Sequence, residues 1–124
     1  MIKRLLKKLL MPLLKEHFSA PGQVALTFDD GPDPEVTPRI LDALAQADAH
    51  ATFFVIGNKA AQYPDILERM RQEGHEIGNH SWNHPELGDL SYRELKREFE
   101  QTDAVIGNGM RSVAVPSSSM LRPI

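Results

Sequence analysis

Apolar residues recur along this chain at two periods, and the switches between them mark alternating strands and helices. Val24–Phe28 is a short apolar run closed by Asp29-Asp30-Gly31-Pro32, the pattern of a buried strand ending in a turn. Ile40, Leu41, Leu44 and Ala47 then fall at helical spacing, and Thr37-Pro38 ahead of them reads as an N-cap followed by a first-turn proline. Ala51–Ile56 is a second strand, closed by Gly57-Asn58. A helix starting at Pro64 turns Ile66, Leu67 and Met70 inward and ends at Gly74. His75–Gly78 is a short third strand that runs into Asn79-His80-Ser81-Trp82-Asn83-His84-Pro85. Ser91 and Glu94 form a capping box for a long helix with Leu95, Phe99, Thr102 and Ile106 along one side. Strands alternating with helices predict the α/β class with a parallel sheet.

The two ends break this rhythm. Ile2, Leu5, Leu6, Leu9, Leu10, Leu13 and Leu14 mark one face of a helix, interrupted by Lys7, Lys8 and Lys15 and by Pro12. Residues 1–21 therefore read as a basic amphipathic arm and linker, and residues 22–124 as the domain. Within it, 107–124 is an atypical tail, rich in serine and proline, with a weak strand signal at Val113–Val115. Neither a signal peptide nor a transmembrane span fits the arm. Residues 2–18 can lie on a membrane surface, or pack on the body or a partner. The sequence leaves the compartment open, with the cytoplasm and the membrane periphery as candidates.

Size and charge narrow the picture. With 124 residues the chain is one small domain. It falls short of the roughly 200 residues or more that a closed α/β barrel usually takes. Composition, at 41% hydrophobic and 25% charged, is that of a soluble globular protein with a modest core. The net charge of −3 divides into +4 on residues 1–18 and −7 on the remainder, which gives no basis for nucleic-acid binding. No cysteine is present, so disulfides, thiolate metal sites and a cysteine nucleophile are excluded.

The chemistry lies at two strand ends. In parallel α/β folds, sites form at the C-terminal ends of the strands. Asp29-Asp30 follows the first strand and His80 the third, with His84 four residues on, one turn away if the loop is helical. Asp30, His80 and His84 are thus candidate ligands of one divalent metal. Two imidazoles and a carboxylate leave coordination positions open, as catalytic sites do. Such an ion lowers the pKa of water to about 7. Asp29, the adjacent carboxylate, is placed to take that water's proton as a base. Gly31 and Pro32 are expected to enforce the turn that aims the two aspartates apart. Either motif alone is weak, since His-x-x-x-His is common on surface helices and Asp-Asp-Gly-Pro is usually a turn. A zincin is excluded because Ser81 stands where its glutamate belongs, and an EF-hand because Asp29-Asp30-Gly31 lacks the loop spacing.

Thr27-Phe28-Asp29-Asp30-Gly31-Pro32 and His80-Ser81-Trp82-Asn83-His84-Pro85 closely resemble the first two motifs of the polysaccharide deacetylases, the NodB-homology enzymes of carbohydrate esterase family 4. Ala51–Gly57 and Gly74–His80 look like the same family, so the resemblance runs from about Val24 to Ile106. It implies the N-terminal part of a deformed (β/α) barrel, incomplete in this chain. It further implies metal-dependent removal of acetyl from N-acetylglucosamine-type sugars, in peptidoglycan or chitin-type oligomers. Asp29 would be the catalytic base, and Asp30, His80 and His84 would hold the metal, zinc first, with cobalt or nickel as alternatives.

The family's third motif, Arg-x-Pro-Tyr, is matched only by Arg122-Pro123-Ile124, and its later motifs have no counterpart. The resemblance then implies low activity, and the alternative is a non-catalytic metal-binding remnant. Reading the tail two bases on, with permissible codons, gives Leu-Phe-x-Ala-Pro-Pro-Tyr, so a frameshifted or truncated product is a further expectation. The nucleotide sequence beyond Ile106 tests it: no alternative frame encoding the rest of the barrel would dismiss the idea. An incomplete sheet also predicts self-association through an exposed edge.

Overall fold

The computed structural model describes residues 24–107. The basic arm, the Ser19–Gly22 linker and the tail from 108 onward, with Val113–Val115, lie outside them.

Three parallel strands form the sheet, in the order β1-β2-β3. They are β1 (Thr27–Gly31), β2 (Thr52–Val55) and β3 (Glu76–Asn79). Between β1 and β2 runs α1 (Val36–Gln46). Between β2 and β3 run α2 (Gly57–Gln62) and α3 (Pro64–Gln72). After β3 a single 3-10 turn, Leu87–Asp89, precedes α4 (Tyr92–Ile106). No described helix is long and apolar enough to cross a membrane.

Packing follows the predicted faces. Leu41 and Leu44 of α1, Met70 of α3 and Val55 of β2 are fully buried, with Leu67, Phe53, Ile77 and Ile106 nearly so. Phe28 and Phe53 stack across β1 and β2 with ring centroids 5.2 Å apart. Burying one such aliphatic or aromatic side chain contributes about 1.5–3 kcal/mol. The Ser91–Glu94 capping box is formed in full: Ser91 Oγ accepts from the Glu94 amide, and Glu94 Oε2 accepts from the Ser91 amide at 2.7 Å.

Three expectations shift. The first strand is Thr27–Gly31, not Val24–Phe28, because its ladder follows pairing with β2 rather than the apolar run: Thr27 sits opposite Thr52, Phe28 opposite Phe53 and Asp29 opposite Phe54. Both aspartates therefore belong to the strand itself. Thr37 is not the N-cap of α1. The residue before the helix, Glu35, makes no side-chain cap; Asp33 instead caps the turn that leads into α1, its Oδ1 accepting from the Glu35 and Val36 amides, with Pro34 next in line. Those two bonds hold the Asp33 carboxyl below its ordinary pKa, the Val36 contact being the larger cause. Thr37 is instead buried, its Oγ1 accepting from the Asp33 amide. Finally, Gly57-Asn58 does not close β2 with a turn but opens α2.

Candidate metal centre

Asp30 owes its position to an irregularity in β1. Asp29 faces Phe54 and Gly31 faces Val55, so Asp30 is the extra residue of a bulge. Its φ of 72° is left-handed, which aspartate tolerates better than most side chains. The left-handed residue is thus Asp30 and not Gly31, contrary to the expectation that the glycine enforces the turn.

His80 and His84 reach the same point without a helix between them. The loop after β3 makes left-handed steps at Ser81 (φ 68°) and His84 (φ 57°). Each such backbone costs on the order of 1–3 kcal/mol and persists only where neighbours hold it. Here they do. Asn79, fully buried, accepts from the Ser81 amide at 2.9 Å and donates Nδ2 to the Phe99 carbonyl and to Asp103 Oδ1. Ser81 Oγ accepts from the His84 amide at 3.1 Å. Glu98 of α4 accepts from the Trp82 and Asn83 amides at 2.9 and 2.8 Å and from Asn83 Nδ2 at 3.0 Å. The His80 amide donates to the Val55 carbonyl at 3.0 Å.

The outcome is one carboxylate oxygen facing two imidazoles. Asp30 Oδ1 lies 3.1 Å from His80 Nε2 and 3.1 Å from His84 Nε2, and the two rings are 5.0 Å apart. The three ligand atoms lie within 4.8 Å of one another. His80 is buried, while His84 and Asp30 are 39% and 60% exposed, so the group opens to solvent on one side. Ligands bound at about 2.0–2.2 Å and separated by 95–110° stand about 3.0–3.5 Å apart, so the Asp30–His spacings suit one shared ion. All three donors are of the borderline or hard type that zinc, cobalt and nickel accept.

Asp29 and Asp30 both line a cleft of about 540 Å³, with Phe28, Ile40 and Phe54 among its apolar walls. Neither imidazole lines that cleft, which runs along β1 while the histidines stand at the end of β3. Asp30 thus belongs both to the cleft wall and to the candidate metal group with His80 and His84. Trp82 packs on the α2–α4 joint and is also outside the cleft lining.

Sequence reasoning missed the supporting residues. Asn79 carried a signal, a polar side chain at the buried end of a strand next to His80. Glu98 carried none, since a glutamate on a mostly polar helix face looks like any solvated one.

The polysaccharide deacetylase family model matches residues 19–122. The chain belongs to the polysaccharide deacetylase family. Among curated relatives, the peptidoglycan-N-acetylmuramic acid deacetylase PdaC of Bacillus subtilis is 49% identical over 96 residues, 76% of this chain and 21% of that protein. A peptidoglycan-N-acetylglucosamine deacetylase of Bacillus cereus is 46% identical over 92 residues, 72% of this chain and 34% of that one. The solved structure of PdaC superposes with a TM-score of 0.72 at 47% identity, covering 78% of this chain and 51% of the other. A family 4 acetyl xylan esterase from Clostridium thermocellum, solved with a cobalt ion, superposes with a TM-score of 0.64 at 43% identity, covering 66% and 40%. The fold is accordingly α/β, corresponding to an N-terminal part of the family's (β/α) barrel. The chain spans about a fifth and a third of the two curated relatives.

Proposed function

We propose that this chain carries the metal centre of a deacetylase acting on N-acetylated glycans of the peptidoglycan or chitin type. The observation that carries the reading is the convergence of two imidazoles, from a loop after β3, on one oxygen of a bulged β1 aspartate. A separation of 3.1 Å alone also suits an Nε2–H hydrogen bond to a carboxylate. Two imidazoles on one oxygen, with Asp30, Ser81 and His84 all held in left-handed backbone, favour a shared cation.

Asp30, His80 and His84 would hold the ion, with zinc, cobalt and nickel as the matching metals. When bound, a divalent cation polarises an amide carbonyl and makes water acidic enough to attack near neutral pH. Asp29, the neighbouring residue on β1, accepts the proton of the attacking water. The acetyl C–N bond breaks, the sugar amine leaves with a proton, and acetate is the second product. The relatives named for glucosamine and for muramic acid differ in the sugar they act on, and the reading commits only to an N-acetylated hexosamine.

The second reading is a metal-binding module without turnover. It stands because the chain spans a minor part of those relatives, so their activity does not transfer as a whole. Acetate release from N-acetylated chitin oligomers and from peptidoglycan, measured beside metal uptake, separates the two. Turnover that falls about 10²–10⁴-fold in Asp29→Asn with metal retained supports the deacetylase. Metal uptake without acetate supports the module. Uptake unchanged in His80→Ala and His84→Ala removes both.

A further inference from the structure

One turn of chain touches both loops that carry the candidate ligands. On the β1 side, the Ile56 amide donates to the Gly31 carbonyl at 2.9 Å, and Lys59 Nζ donates to the Asp30 carbonyl at 2.9 Å. On the β3 side, the Gly57 amide donates to the Ser81 carbonyl at 2.8 Å and the Asn58 amide to the Trp82 carbonyl at 3.2 Å. Asn58 Nδ2 adds a bond to Asn83 Oδ1 at 3.1 Å. The start of α2 thus clips the bulge to the histidine loop.

We propose that Lys59 is a positioning residue for the metal centre, its ammonium holding the left-handed Asp30 backbone so that the carboxylate meets both imidazoles. The inference rests on the metal-centre reading above. A bulge leaves its extra residue outside the ladder, and Asp30 is that residue. Its carbonyl takes its bond from Lys59. Among these contacts, Lys59 supplies the one side chain that reaches the backbone of a ligand residue.

Charge and geometry act here with opposite sign. An ammonium close to a cation site repels the cation, so charge alone predicts that removing it tightens binding. A positioning role predicts the reverse, as for outer-shell groups that orient ligands. The direction of the change therefore decides between them.

The test is cobalt titration of the full chain against a competing chelator, following the visible absorption of bound cobalt, with thermal melts of the metal-free proteins alongside. Lys59→Met is expected to weaken cobalt binding about tenfold, the lower end of the effect of outer-shell substitutions, and to change the cobalt spectrum. Its metal-free melt should match that of the wild type, because the bond lies at the surface. Lys59→Arg keeps a donor and should restore most of the affinity. Equal or tighter cobalt binding by Lys59→Met overturns the inference and leaves the metal centre standing. A loss that Lys59→Arg fails to restore, or that accompanies a collapsed metal-free melt, assigns Lys59 to the fold and overturns it as well. If the wild type takes up no cobalt, the metal centre itself falls, and the positioning role with it.

Discussion

Gly57 stands where α2, α4 and the histidine loop meet, and adding one methyl group there measures how tightly that joint is built. A Cβ at Gly57 would sit 2.4 Å from Trp82 Cε3, 2.4 Å from Thr102 Oγ1 and 3.1 Å from Thr102 Cβ. Carbon atoms rest at about 3.5–4.0 Å, so the joint has to open by roughly 1 Å. Neither neighbour yields freely. Thr102 is fully buried and its hydroxyl donates to the Glu98 carbonyl at 2.9 Å. The Trp82 amide is held by the Glu98 carboxylate. Overpacking of this kind costs about 1–3 kcal/mol. Against it, alanine for glycine gains about 0.4–1 kcal/mol through the unfolded chain.

Gly57→Ala should therefore lose about 1–2 kcal/mol net, read from urea unfolding of the metal-free protein. Trp82 is the sole tryptophan, so its fluorescence reports the joint directly. The control is Gly88→Ala, where nothing lies within 4 Å of the added atom and stability should stay within about 0.5 kcal/mol. Because Trp82 lies two residues before His84, the same shift should also weaken cobalt uptake. If Gly57→Ala unfolds at the same urea concentration as Gly88→Ala and binds cobalt equally well, the packing argument is refuted.

Two further outcomes follow from single contacts. His75 is 8% exposed, its Nδ1 accepts from the Ala51 amide at 3.1 Å, and its Nε2 finds no partner among the described residues. Burial first, then His50 and Arg69, push its pKa below the ordinary histidine value, with Glu73 pulling the other way. The unfolded chain then binds a proton at a higher pH than the folded one. Stability is fully present above pH 6.5 and falls as pH drops from there through the folded pKa. His75→Asn, which keeps an acceptor for Ala51, should flatten the acid limb by up to about 1.4 kcal/mol per pH unit in metal-free denaturation, and an unchanged limb refutes the assignment. Ser91→Ala removes the cap of α4 and should cost about 1 kcal/mol in the same assay, with Ser91→Thr recovering most of it; an unshifted midpoint would show that α4 does not depend on its cap.

Much of the fold was readable because burial imposes period. Leu41 and Leu44 recur at helical spacing since one face of α1 meets the core, and Leu67 and Met70 do the same for α3. The Ser91 cap was readable because its partner lies three residues away in the chain. Asp33 was passed over for Thr37 because two turn-forming residues competed for one role, and only the hydrogen bonds settle which side chain faces the amides. The span of β1 was misjudged for a related reason. A strand ends where its partner ends, and apolar content does not record that.

The sequence by itself determined the residue types of the site and the strand ends that bring them near each other, because a parallel sheet delivers its C-terminal ends to one side. Tertiary structure decided how those side chains are aimed. Asp30 turns to the imidazoles through a bulge that exists only against β2, and His84 reaches them through left-handed steps held by Asn79 and Glu98. Such restraints come from residues distant in the chain whose identities carry no local pattern. The physical reason is that a backbone conformation unfavourable on its own is stable only in the company of the groups that bond it.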